Sequence, residues 1–209
     1  KRGRMLSNDA RLALETATET YSQQIDEAGR YLTSRGITKE AAAKHRLGFV
    51  SHPMIGHEDM IGRLSIPYVT PSGVVEMRFR SIDPNTSPKY LSRVGAKSHM
   101  YNVNAFNEPS EHIAICEGEM DAIVASTICG IPAIGVPGAQ TWQASYRRAF
   151  QDYRKVYILA DGDTAGQELA KKIVHAIDVA IVVTMPEGMD VNDIVMAEGP
   201  EGLRERIGL

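Results

Sequence analysis

HIAICEGEMDA at residues 112–122 and KVYILADGDTAG at 155–166 decide the fold. Each begins with a short apolar, β-branched run (113–116 and 156–160) and then breaks into an acid and a glycine: Glu117-Gly118 in the first, Asp161-Gly162-Asp163 in the second. An apolar run of this length without alternation is what a strand covered on both faces requires, and the glycine after it marks the turn. Strands covered on both faces belong to open parallel sheets, which bind ligands beyond the carboxyl ends of their strands. Glu117, Asp161 and Asp163 are therefore expected at one sheet edge. An acid before glycine also makes an ordinary turn, and for any single one of the three that reading is as good. Recurrence at successive strand ends favours a shared site.

Strands are expected at 112–116 and 156–160 in these segments and, outward from them, at 132–136 and 180–184, with helices at 121–129, 142–150, 164–177 and 191–197. Alternating units of this kind build a small parallel sheet with helices on both faces. GMDVNDIV at 188–195 follows the last strand and adds Asp190 to the same edge. Carboxylates crowded together cannot all ionise unless a cation joins them, and hard oxygen donors suit Mg²⁺ or Mn²⁺. Such ions serve phosphoryl transfer by clamping the attacking and leaving oxygens.

The amino-terminal half has a different grammar. Residues 7–32 carry apolar positions at helical spacing, interrupted near 23–26, with Ser7-Asn8-Asp9 as N-cap. Arg35-Gly36-Ile37 reads as a glycine C-cap and turn, and Thr38 caps a short helix that precedes a strand from Leu47. Alternation at 63–69 and 74–80 around Pro71-Ser72-Gly73 predicts a hairpin. Its second strand would carry Glu76, Arg78 and Arg80 on one face and Val75, Met77 and Phe79 on the other. A loop at 83–98 holds Lys89, Tyr90, Arg93 and Lys97, and a polar connector at 104–111 separates an α+β subdomain at 1–108 from the α/β subdomain at 109–209.

The net charge of −3 conceals a division. Up to Ser110 there are 15 Lys and Arg against 11 Asp and Glu; from Glu111 onward there are 8 against 15. A basic half joined to an acidic one fits a polyanion-binding surface beside a cation site. Arg78, Arg80, Lys89, Arg93 and Lys97, with Tyr90 among them, suit a single-stranded backbone and a stacked base. For Arg78 and Arg93 a solvated, charge-blunted edge is an equal alternative. Cys116 and Cys129 form no CxxC pair, and the six histidines show no HxH or HxxxH spacing, so zinc is not expected within the chain. Trp142 reads as packed core. No stretch has the length and apolarity of a membrane span or a secretory signal, which makes a cytoplasmic setting the expectation.

EGEMDA, LADGDTAG and GMDVNDIV resemble, in order and spacing, the three signature segments of TOPRIM domains. The preceding half resembles the catalytic core of DnaG-type bacterial and phage DNA primases: YLTSRGITKEAAAKHRLGF its helical entry, RLSIPY with GVVEMRFRSID its hairpin, and SPKYLS with AKSHMYN its basic segment. The resemblance implies an α/β TOPRIM subdomain preceded by an α+β primase subdomain. It implies DNA-templated synthesis of short RNA primers from ribonucleoside triphosphates by metal-dependent nucleotidyl transfer during DNA replication. Glu117, Asp161, Asp163 and Asp190 match the metal-binding acids, with Glu117 in a further acid/base role. Lys89 and Lys97 match lysines that contact nucleotide or template, and Arg63 a basic residue at the hairpin entry. The implied partners are single-stranded DNA template, ribonucleoside triphosphates, a replicative helicase and a separate zinc-binding module, with no membrane, in a bacterial cell or a phage-infected host. A TOPRIM nuclease that turns the same acids on water, or a non-catalytic nucleic-acid-binding module, are the alternatives. The chain departs from the family pattern at Glu119, where an aromatic is usual, at Ser92, which replaces an Asn, and at Asn192, where many relatives carry Asp.

Overall fold

The structure, a computed structural model, describes residues 6–138 and 140–209. The chain divides into two compact units: the first holds the residues up to Thr33 together with Thr38–Lys97, the second Ser34–Ile37 together with Ser98–Leu209. The division falls earlier than the expected 108/109. Segment 98–108 belongs to the second unit because Tyr101 exchanges backbone hydrogen bonds with Gly135 in both directions, at 2.8 and 3.1 Å, and Ala105 is buried in that unit's core.

In the first unit, Ser7 caps α1 (Asn8–Ser22) by accepting from the Ala10 amide. A 3₁₀ turn (Ile25–Ala28), α2 (Gly29–Ser34) and α3 (Lys39–Lys44, capped by Thr38) follow. Four strands, β1 (Gly48–Phe49), β2 (Arg63–Thr70), β3 (Gly73–Ser81) and β4 (Tyr90–Ser92), form an antiparallel sheet in sequential order. The expected hairpin is present, with a register shift between Tyr68 and Val69. Leu14, Ala17 and Tyr21 of α1 bury Val74, Met77 and Phe79 of β3. Two expectations are corrected. The loop at 83–98 contains a strand, β4, which pairs Tyr90 with Arg80 and Ser92 with Arg78. The charged face of β3 is covered as well, with Glu76 and Arg80 both buried, because β4 brings Tyr90 and Arg93 back over it.

The second unit is an all-parallel sheet in the order β6-β5-β7-β8, made of β5 (His112–Cys116), β6 (Ala133–Gly135), β7 (Lys155–Ala160) and β8 (Ala180–Thr184). Ile113, Ile115, Val156 and Ile158 share a core with Leu169, Ala170 and Ile173 of α5 (Thr164–Val174). Trp142 packs against that core, its ring 6.2 Å from that of Phe150. α4 (Glu119–Ile123) packs on β5 and β6 and runs on into a π-helical turn, Val124–Ile128. The helix expected at 142–150 is a 3₁₀ segment, Ala144–Phe150. α6 (Val191–Ile207) extends well past the expected 197, with a kink at Gly199-Pro200 where proline has no N–H to donate. Cys116 and Cys129 are buried thiols. From β5 the chain crosses to β6 on one side and then to β7 on the other, so the winding direction reverses between β5 and β7. The crevice created by such a reversal lies beyond the strands' carboxyl ends, where Glu117 and Asp161 begin.

Candidate functional site

The acids of the second unit are positioned by backbone. The Gly162 amide donates to the Met189 carbonyl at 2.9 Å, the Gly188 amide donates to the Gly162 carbonyl at 3.0 Å, and the Met185 amide donates to Ala160 at 2.9 Å. The turn after β7 is thereby stitched to the loop after β8. A Cβ on Gly162 would meet the Pro186 carbonyl oxygen at 1.9 Å, so only glycine fits there. Asp163 caps α5, accepting from the Gly166 amide at 2.8 Å. Asp190 caps α6 in a capping box with Asp193: its carboxylate accepts from the Asp193 amide at 2.8 Å and its own amide donates to the Asp193 carboxylate at 3.0 Å. The turn-making reading of Asp163 and Asp190 is thus correct as far as it goes.

Glu117 and Asp161 are different. Among the described residues, Glu117 Oε2 and Asp161 Oδ1 are buried with no hydrogen-bond partner. Burial pushes the Asp161 carboxyl up to about 8, with further upward pushes from Asp121, Glu117, Asp190 and Asp163. Burial, then the charge of Asp163, also raises Glu117. At about 8 the Asp161 carboxyl holds a proton at neutral pH or takes a cation in its place. Among the described residues no three acidic, histidine or cysteine side chains are gathered tightly enough to enclose an ion as they stand, so the cluster is an open one.

Asp190 is set apart from its neighbours by Arg35, whose Nη2 lies 2.5 Å from its carboxylate. Burial works to raise the Asp190 carboxyl, but the Arg35 hydrogen bond and charge, with the Asp193 amide, outweigh it and hold the group below the usual carboxylate range. The Asn192 side-chain amide donates to the Arg35 carbonyl at 2.8 Å. Sequence reasoning missed two members of this site. Arg35 looked like part of a helix stop, which it is, since Gly36 adopts a φ of 69°; nothing local discloses a partner at position 190. Asp121, buried in the first turn of α4, exerts the largest charge effect on Asp161. Its place four residues after Glu117 in EGEMDA was the available signal.

In the first unit, the structure brings Arg78, Arg80 and Tyr90 together. The Arg78 and Arg80 guanidinium carbons lie 4.3 and 5.2 Å from the Tyr90 ring centroid, and Arg80 Nη1 donates to the Tyr90 hydroxyl at 2.5 Å. Arg80 also reaches the Tyr31 ring, at 5.7 Å. Arg63 is buried and donates to the carbonyls of Pro88 and Lys89, at 2.9 and 3.3 Å, so it fixes the backbone of the Lys89 segment. Arg93 pairs with buried Glu76 at 3.2 Å. Lys89 and Lys97 are exposed.

The Toprim domain family matches residues 112–201, within the second unit. The chain is 45% identical over 151 residues to the Gene 57 protein of Mycobacterium phage D29, which covers 70% of this chain and 98% of that protein. It is 26% identical over 240 residues to the DNA primase of Aquifex aeolicus, covering 94% of this chain and 48% of the primase. Among solved structures, the Aquifex aeolicus primase comprising zinc-binding and RNA polymerase domains matches with a TM-score of 0.78 and 24% identity, over 97% of this chain and 61% of that one. A DnaG primase catalytic domain bound to single-stranded DNA matches at 0.75 and 21%, over 93% and 78%. The second unit is a TOPRIM domain, and the fold is that of the DnaG-type primase catalytic core. The chain belongs to one family with the phage D29 Gene 57 protein, and the Toprim match and the primase relatives together make it a DnaG-type primase with a TOPRIM domain. It spans about half the length of the Aquifex primase it matches.

Proposed function

We propose that the chain is the catalytic core of a DNA primase, joining ribonucleoside triphosphates into short RNA primers on a single-stranded DNA template during replication. The observation that carries this reading is the state of Asp161: buried, with an oxygen lacking a hydrogen-bond partner among the described residues, and raised to about 8 amid other carboxyls. That state, together with the bare Oε2 of Glu117, fits Mg²⁺ or Mn²⁺ held by Glu117, Asp161 and Asp163, with Asp190 beside them. Such an ion, when bound, neutralises charge on the triphosphate and on the leaving pyrophosphate.

In the reaction, a 3′-hydroxyl oxygen attacks the α-phosphorus of the incoming nucleotide. A new P–O bond forms, the bond to the β-phosphate oxygen breaks, and pyrophosphate leaves. Glu117, whose proton affinity is raised by burial and by Asp163, is suited to receive the hydroxyl proton. Lys89 and Lys97 contact nucleotide or template, and the Arg78–Tyr90–Arg80 stack offers charge beside an aromatic face for a single strand. A replicative helicase and a zinc-binding module are further partners, and the setting is the cytoplasm of a bacterial cell or phage-infected host. Among the described residues no helix is long and apolar enough to cross a membrane.

The test is incubation with single-stranded template, Mn²⁺ and labelled ribonucleoside triphosphates. Short oligoribonucleotides, lost in Glu117→Gln and Asp161→Asn, are the expected product. Shortened template without them would replace this reading by a TOPRIM nuclease. No reaction at all, with metal binding unaffected by either substitution, would leave a nucleic-acid-binding module.

A further inference from the structure

Both carboxylate oxygens of Asp190, in the third acidic segment of the TOPRIM domain, are already engaged. Asp190 accepts from the Asp193 amide and from Arg35, and Asp193 accepts from the Asp190 amide while its other oxygen lies 4.0 Å from Arg35. Asn192, the remaining polar side chain, is neutral and 1% exposed. Its amide holds the Arg35 carbonyl, and among the described residues its Oδ1 has no hydrogen-bond partner.

Arg35 is anchored as firmly as a residue of the segment itself. The Asn192 bond fixes its backbone, and a Cβ on Gly36 would come within 3.2 Å of the Met196 sulfur, so the turn lies directly on α6. An arginine cannot be discharged at working pH. A second divalent ion approaching Asp190 would have to displace a fixed guanidinium and break a capping box, and where a further carboxylate could have joined it Asn192 offers only an uncharged amide. Glu117 Oε2 and Asp161 Oδ1, buried with no hydrogen-bond partner among the described residues, are by contrast left for a cation.

We propose that Arg35 is a built-in counter-cation for Asp190, so that this site takes one divalent ion, at Glu117, Asp161 and Asp163, and Asp190 acts as a positioning residue rather than a ligand. Asn192 is the specificity-determining position: its neutrality spares Arg35 a third carboxylate beside Asp190 and Asp193. The inference rests on the metal-dependent reading above and deepens it.

Mn²⁺ binding to the 209-residue chain, counted from the electron paramagnetic resonance signal of free Mn²⁺, tests it, with primer synthesis assayed alongside and circular dichroism reporting the fold. The expected result is one ion per chain, retained in Asp190→Asn, which still caps α6, and weakened roughly tenfold or more in Asp161→Asn. Arg35→Gln combined with Asn192→Asp should raise the count to two, whereas Arg35→Lys should leave it at one. Two ions in the native chain, one vanishing in Asp190→Asn, would overturn the inference while leaving primer synthesis intact. A double variant that folds and still binds one ion would remove Arg35 from its role. Absence of any bound ion would sink this inference together with the metal-dependent reading.

Discussion

Gly162 and Pro186 touch backbone to backbone: a Cβ added to the glycine would sit 1.9 Å from the proline carbonyl oxygen. Neither chain segment can yield cheaply, since the amide and carbonyl of Gly162 are bonded to Met189 and Gly188. Gly162→Ala is expected to cost about 2–3 kcal/mol by forcing the two loops apart, and to weaken Mn²⁺ binding because Asp161 and Asp163 flank it. Urea unfolding and Mn²⁺ titration check both; a variant of native stability would mean that the loops are not in contact.

Asp161 makes the metal-free protein sensitive to alkali. Its carboxyl is raised from 3.8 to about 8 in the fold, so between those values the unfolded chain has lost a proton that the folded chain keeps. Stability must therefore fall as pH rises from about 4 to about 8 and level off above. Asp161→Asn removes the titrating group. It should be near neutral at pH 4 and stabilise the metal-free protein at pH 8 by about 2–3 kcal/mol, less than the full shift implies because the group is only partly buried. Chemical denaturation across pH reads the difference, and parallel curves for the two proteins would contradict it.

Lys89 and Lys97 are exposed on the segment around β4. If they meet phosphates, each substitution by alanine should reduce the slope of log affinity for single-stranded DNA against log salt by roughly 0.7. Fluorescence anisotropy at several ionic strengths measures it. An unchanged slope in both variants would move the strand elsewhere.

Arg93 should behave in the opposite way. It neutralises Glu76, which is buried and accepts from the Met77 amide at 3.0 Å. Arg93→Met leaves that charge without its cation and is expected to cost about 2 kcal/mol, discounted because Arg93 is itself partly exposed. The salt slope for DNA should stay as it was. Thermal unfolding with the same anisotropy series distinguishes a structural arginine from a binding one.

Much of the second unit was legible because β5, β6 and β7 are buried and the acids fall where the apolar runs end: β5 and the more exposed edge strand β8 match the expected bounds, and Glu117 and Asp161 sit at the reversal between β5 and β7. The first unit was legible only where alternation is clean, in β2 and β3. β4 was hidden because three residues, Tyr90–Ser92, are too few for a period to show. Its reason for being a strand lies in Arg78, Phe79 and Arg80 across the sheet. Asp121 and Arg35 were not read as site residues for the same cause: a carboxylate in a helix turn and an arginine before a glycine have ordinary local explanations, and only tertiary contacts reveal the second use.

The Ser34–Ile37 turn has a consequence for how the protein is made. A growing chain emerges amino terminus first, and compact units fold as they are completed. The first unit has all its residues once Lys97 has appeared. Arg35, however, is separated from Asp190 by 155 residues of sequence, so it waits for a partner synthesised long after it, and the loop that the pair closes is long and slow to form. The TOPRIM site is therefore finished only after the first unit has all its residues, by a residue that left the ribosome before any strand of that unit.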